Sequence, residues 1–117
     1  MVVKGFGRKQ GIDFDEIFSP IVKMSSFRVV LGMAAVMDLE IEQLDVKTAF
    51  LHGDLEEETY MEQPEAFEVA RKVHLVCKLS KSLYGLKQAP RQWYKKFESF
   101  MTNLDYYKAQ AEQCVFI

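Results

Sequence analysis

Cysteine, proline and long apolar runs are all scarce in this chain, and each scarcity closes off a class of protein. Only two cysteines occur, Cys77 and Cys114, too few for the disulfide framework on which small secreted domains rely. The first residues, Met1 to Phe6, lack the layout of a signal peptide, so both cysteines are expected to remain thiols. Arg28 and Asp38 bracket the longest apolar run, which falls well short of the roughly 20 residues that span a bilayer. Gly/Ser linkers, low-complexity tracts and internal repeats are missing, so no domain boundary is expected inside the chain. Metal-binding cysteine and histidine clusters are missing too. His52, His74, Cys77 and Cys114 lack paired spacing, and His74 and Cys77, three apart, would face opposite sides of a strand. Neither cysteine sits in a nucleophile context.

What remains is the composition of one folded unit. Hydrophobic residues make up 49% of 117 residues, with enough charge of both signs to exclude a disordered tail. The net charge of −2 carries no global nucleic-acid signature, but its distribution is uneven. Between Glu68 and Glu98 there is no acidic residue, while Arg71, Lys72, Lys78, Lys81, Lys87, Arg91, Lys95 and Lys96 all fall there. Acidic residues crowd Asp38 to Glu68 instead, and among them Asp54, Glu56, Glu57 and Glu58 read as a solvated loop more than as ligands. Interleaved with Tyr84, Trp93 and Tyr94, the basic stretch suits a phosphate backbone with stacked bases. Its plainer reading is a solvated basic face on a strand and a helix.

Periodicity outlines the elements. A short strand is expected near Met1 to Phe6, followed by a turn-rich connection through Gly7 and Gly11. Ser25 or Ser26 can cap a helix whose apolar positions Phe27, Val30, Leu31, Ala34 and Met37 follow helical spacing, ending near Asp38. Leu39 to Val46 reads as a strand whose apolar face switches near Gln43, by a bulge or through burial on both faces. Val73, Leu75, Cys77 and Leu79 alternate as another strand. Pro90 suits the first turn of a helix on which Trp93, Phe97, Phe100, Met101 and Leu104 form one apolar stripe, taken as core. Strands alternating with helices give an α/β or α+β class.

One carboxylate, Asp45, stands where the strand of residues 39–46 runs out, five residues before the aromatic Phe50. By itself a strand-end aspartate more often caps a turn, and Phe50 beside Ala49 and Leu51 suits a core. The surrounding segments change that balance. Gln43-Leu-Asp-Val-Lys-Thr-Ala-Phe-Leu-His-Gly-Asp-Leu55 and Ser82-Leu-Tyr-Gly-Leu-Lys-Gln-Ala-Pro-Arg-Gln-Trp-Tyr94 resemble the reverse transcriptase of copia-type retrotransposons. Val3 to Phe6, Gly11 to Pro20, Tyr60 to Pro64 and Cys114 to Phe116 resemble that family in the same order. The resemblance covers nearly the whole chain. Departures are Ala66 in place of the usual Gly, Asp105 where a Gly commonly follows the long helix, and Glu112-Gln113 in place of Asp-Pro.

The resemblance implies a partial fingers-palm polymerase fold, with a mixed or antiparallel palm sheet packed on helices. Residues 1–38 would be fingers-like, and residues 39–117 palm with the family's first metal motif and second polymerase motif. The Tyr-Val-Asp-Asp hairpin, thumb, RNase H and integrase regions are absent from these residues. The implied activity is RNA-directed DNA polymerisation with two Mg²⁺ (or Mn²⁺) ions, on an RNA template, a DNA primer and deoxynucleotides. Asp45 would be catalytic and metal-binding, with the Val46 carbonyl as a second ligand. Phe50 would lie against the sugar, Tyr84 and Gly85 near the nucleotide, and Lys4, with Lys23 and Arg28, near phosphates. Lys81, Lys87, Arg91, Trp93, Lys95 and Lys96 would hold nucleic acid. For the complete enzyme the family implies a cytoplasmic, virus-like-particle setting, no membrane, and the rest of a retrotransposon polyprotein as partner. Without the hairpin, this chain alone is expected to be inactive. The rivals are a non-catalytic nucleic-acid-binding module and an inert truncated remnant.

Overall fold

A computed structural model describes residues 7, 9, 11, 12, 16–65, 67–69, 72 and 74–117. The expected strand at Met1 to Phe6 and the phosphate role of Lys4 lie outside the described residues. Along the chain come α1 (Met24–Val36), a short 3₁₀ helix (Ala49–His52), β1 (Asp54–Glu62), β2 (Val76–Lys81), α2 (Ala89–Asn103), β3 (Lys108–Ala109) and β4 (Glu112–Phe116). Helices and two small antiparallel sheets make it a mixed α/β chain, as the residue pattern implied.

β1 and β2 form one hairpin, with Asp54 opposite Lys81, Thr59 opposite Leu79 and Glu62 opposite Val76; an irregularity between Asp54 and Thr59 shifts the register. Gln63 pins the connection between them. Its amide nitrogen donates to the Lys72 and Leu75 carbonyls at 2.7 and 2.9 Å, and its oxygen accepts from the Val69 amide at 2.9 Å. α2 begins as expected, with Pro90 in its first turn, where the lost amide hydrogen has no helical partner. The helix packs on the 3₁₀ helix and on β1. β3 and β4 close a second small hairpin, extended by paired 2.9 Å bonds between Tyr107 and Ile117.

The centre of packing is the junction of the 3₁₀ helix, β1 and the start of α2. Among the described residues the buried apolar side chains are Leu86 and Ala89, and they share the interior with the polar Thr59, Ser82, Gln88 and Gln92. Gln88, fully buried, donates from Nε2 to Glu57 at 3.1 Å and so ties the turn before α2 to β1. Gly53 permits the closest approach. A Cβ there would stand 3.0 Å from the Gln92 Cβ and 3.2 Å from backbone atoms of Gln92 and Trp93.

Three expectations are corrected. Neither Ser25 nor Ser26 caps α1; Lys23 is the residue at that position, without a side-chain bond, and the Ser26 hydroxyl donates instead to Glu112 of β4 at 2.9 Å. Leu39 to Val46 forms no strand. The segment is exposed throughout, because no described strand lies beside it to accept its backbone hydrogen bonds. The stripe on α2 is core in part only: Trp93, Phe97 and Met101 are half-buried, whereas Phe100 and Leu104 are exposed.

α1 departs furthest from an ordinary helix. Its residues are apolar almost all round, a pattern of helices enclosed on every side, yet none is buried, and Val36 is 88% exposed. The radius of gyration is 18.6 Å, with a long axis of 66 Å, against roughly 13 Å for a compact domain of about this size. The apolar surface encoded for burial thus exceeds what these residues bury among themselves.

Candidate active site and charged face

The segment from Asp45 to Phe50 turns sharply into the 3₁₀ helix. Thr48 sets that turn at φ 53°, a left-handed conformation that a β-branched residue rarely adopts. Its hydroxyl donates to the Lys47 carbonyl at 2.7 Å. Such positive-φ residues outside glycine cost on the order of 1–3 kcal/mol and concentrate near functional sites. Asp45 and Val46 before the turn are exposed. Phe50 after it is half-buried, and its ring lies 5.1 Å from that of Tyr84, tilted by 49°. Tyr84 precedes Gly85, whose φ of 96° is open to glycine at little cost. Residues from the two quoted blocks, Phe50 and Tyr84, are therefore in direct contact.

Beside this contact, Val46, His52, Trp93, Lys96, Phe97 and Phe100 line an apolar groove of about 290 Å³. Trp93 is held between His52 and Phe97, with ring centroids 6.3 and 6.0 Å away. Tyr94 donates its hydroxyl to the Gln113 carbonyl at 2.8 Å, and Lys108 stands 5.8 Å from its ring. Burial pushes the Tyr94 phenol above its ordinary pKa.

Among the described residues, no three His, Cys, Asp or Glu side chains gather as a metal-holding group. Asp45 brings one carboxylate to solvent. A two-ion centre needs further carboxylates to neutralise and space the ions, so these residues alone do not fit one.

The basic residues of β2 and α2 stand beside carboxylates. Lys78 pairs with Glu58 and Lys81 with Asp54, Lys96 reaches the other oxygen of Asp54 at 2.9 Å, and Lys95 grips Glu56 at 2.6 Å. Arg91 pairs with Glu16 at 2.5 Å and also donates to the Phe18 carbonyl at 3.1 Å. Lys87 is half-buried beside Gln88 at the start of α2. The two lysines on Asp54, Lys81 first and then Lys96, hold its pKa down to about 2. Lys95 lowers that of Glu56, and Lys78 that of Glu58.

The partners of these lysines were not recognised in the sequence, where Asp54 and Glu56 to Glu58 read as a solvated loop. A signal was present. Leu55, Glu57, Thr59 and Met61 alternate with Asp54, Glu56, Glu58 and Tyr60, and the first set is half-buried or buried, as a strand with one covered face requires.

A family model described as "Reverse transcriptase (RNA-dependent DNA polymerase)" matches residues 1–117. The chain is 72% identical over 116 residues to "Retrovirus-related Pol polyprotein from transposon TNT 1-94" of Nicotiana tabacum, a match covering 99% of this chain and 9% of that protein. It is also 41% and 40% identical over 117 residues to the Pol polyproteins from transposons RE1 and RE2 of Arabidopsis thaliana, covering 100% of this chain and 8% of each. No solved structure matches the chain.

Proposed function

Because this chain belongs to the reverse transcriptase (RNA-dependent DNA polymerase) family, we propose that it is the part of a retrotransposon Pol polyprotein that carries the fingers-like and first palm segments, residues 1–38 and 39–117, of an RNA-directed DNA polymerase. The observation that carries this reading is the Phe50–Tyr84 contact, which joins the two blocks that resemble the family's polymerase motifs. The assembled enzyme would copy an RNA template onto a DNA primer from deoxynucleotides. Divalent ions, Mg²⁺ or Mn²⁺, supply charge neutralisation on the triphosphate when bound. Asp45 and the Val46 carbonyl are this chain's contribution to holding them, and the remaining ligands come from another part of the polyprotein.

The chain's own residues act mainly by position. The ring of Phe50, backed by Tyr84, offers an apolar plate against which a deoxyribose fits and a 2′-hydroxyl does not. Gly85, lacking a side chain, lets backbone approach the nucleotide closely. The exposed apolar surface of α1 and of residues 39–46 fits a piece that is completed by neighbouring segments, and weighs against a free-standing binding module. No helix among the described residues is long and apolar enough to cross a membrane.

Primer extension by the longer polyprotein tests the reading. Asp45→Asn, which keeps shape and removes the charge, should lower the rate by several orders of magnitude. Extension at near-normal rate by that variant would remove Asp45 from the centre.

A further inference from the structure

The most regular polar arrangement of the chain lies on the outward face of β1. Asp54, Glu56 and Glu58 recur at every second residue and are exposed, alternating with the half-buried Leu55 and Glu57, so their carboxylates leave the same side of the strand. Lys81 and Lys78 of β2 reach this row from one flank, and Lys96 and Lys95 of α2 from the other. Four of the basic residues between Arg71 and Lys96 therefore end on three carboxylates, leaving a surplus of one positive charge on the whole face.

Fold stability does not account for the row. All seven side chains are at least 38% exposed, where such pairs contribute little, and three like charges along one strand face repel one another. What the row does change is the field. A phosphate approaching α2 and β2 meets lysines already neutralised, and the same exposure that weakens the pairs lets another polyanion exchange with them.

We infer that Asp54, Glu56 and Glu58 form an internal polyanion that competes with nucleic-acid phosphates for Lys78, Lys81, Lys95 and Lys96, so that this face takes up a strand only by displacing its own carboxylates. This rests on the polymerase reading above for the identity of the ligand. Two properties follow. Binding through this face is weaker than its lysine count implies. It is also less sensitive to salt, because a displaced carboxylate regains a mobile cation and offsets the counterions that the phosphates release.

The test uses the full 117-residue chain and an oligothymidylate, which cannot form base pairs, with affinity followed across a salt series. The triple change Asp54→Asn, Glu56→Gln, Glu58→Gln should tighten binding at low salt by about tenfold or more and steepen the logarithmic salt slope by roughly 0.7 per lysine freed. Adding Lys95→Gln and Lys96→Gln to the triple should remove most of the gain, while the same lysine changes in the unaltered chain should shift affinity less than about twofold. The single change Glu56→Gln frees Lys95 alone and serves if the triple disturbs the hairpin; it should gain in proportion. Asp38→Asn with Glu40→Gln and Glu42→Gln makes the same change of net charge away from the face and should gain nothing.

An equal gain from that distant triple, an unchanged affinity and slope in the β1 triple, or a strong loss on neutralising Lys95 and Lys96 in the unaltered chain would each overturn the inference. Its failure is separable from that of the polymerase reading. A β1 triple without gain, beside primer extension that still depends on Asp45, removes the inference alone; a gain beside extension indifferent to Asp45 leaves the competing carboxylate row and removes the polymerase reading.

Discussion

The rings of Phe50 and Tyr84 stand 5.1 Å apart, so the aromatic five positions after Asp45 is steadied by the residue before the left-handed Gly85. Aromatic pairs of this kind contribute about 0.5–1.5 kcal/mol beyond their buried area. If Phe50 gates the sugar, Tyr84→Ala should loosen the gate without removing it. In the longer polyprotein, discrimination against ribonucleotides should then fall by about two- to tenfold, and further for Phe50→Ala. Paired incorporation assays with ribo- and deoxynucleotides measure this. An unchanged ratio in both variants would return Phe50 to a packing role.

Asp54 should titrate unusually low. Its folded-state pKa lies near 2, against an ordinary 3.8, because Lys81 and Lys96 both bind its ionised form. The sign follows directly: the pairing is fully present above the ordinary carboxylate pKa and is lost as pH falls toward 2. Carboxyl-carbon NMR should show Asp54 still ionised near pH 3, and Lys81→Gln with Lys96→Gln should bring its midpoint back up. A midpoint already ordinary in the unaltered chain would mean that the lysines do not sit on it in solution.

Gly53→Ala should destabilise the chain although the backbone there, at φ −66°, suits alanine. The cost is spatial. The new methyl meets α2 at 3.0–3.2 Å, and backing the helix away disturbs the packed junction of the 3₁₀ helix, β1 and α2, at about 1–3 kcal/mol. Urea unfolding followed by Trp93 fluorescence reads the change, and a midpoint equal to that of the parent would show that α2 yields freely.

Asp105→Gly should do the reverse. α2 ends in a reversal in which the Tyr106 amide donates back to Met101 and the Asp105 amide to Thr102, with Asp105 at φ 63°. Left-handed backbone costs an ordinary residue roughly 1–2 kcal/mol, somewhat less for aspartate. Glycine should therefore raise stability by about 0.5–1 kcal/mol after its own loss of chain entropy. A fall in the unfolding midpoint would point to a role for the Asp105 carboxylate that its backbone angle does not explain.

Asp105 also shows what could be read from the sequence. Its departure from the family's glycine was visible, whereas its left-handed angle was not, since nothing local forces a non-glycine residue into that region. α2 and its first-turn proline were legible because helical spacing and Pro90 act over a few residues. α1 was legible for the same reason, though not its missing cap, because Ser26 is drawn to Glu112, far along the chain. β1 was missed because its charged face looks like a loop until β2 brings Lys78 and Lys81 alongside. Residues 39–46 failed in the opposite sense: their composition suits a strand, but a strand needs a neighbour. At the site, spacing and resemblance located Phe50 and Tyr84 separately. Their contact depends on the turn at Thr48 and the close approach at Gly53, which no local pattern announces.

The bonds of Ser26 to Glu112 and of Arg91 to Phe18 join residues 86 and 73 positions apart. Closing a loop of that length costs on the order of 4 kcal/mol in chain entropy, while a hydrogen bond returns about 1 kcal/mol and an exposed ion pair at most about 1 kcal/mol. With the Lys23 amide also bonded to Glu112, the moorings of residues 16–36 among the described residues still return little more than the loop costs, so this segment opens first. Amide exchange should accordingly split the chain into two kinetic classes, with α1 exchanging ahead of α2 and the β1–β2 hairpin. Residues 16–36 are then a hinged arm on a stiffer base, free to change its angle while the base keeps the turn from Asp45 to Phe50 intact.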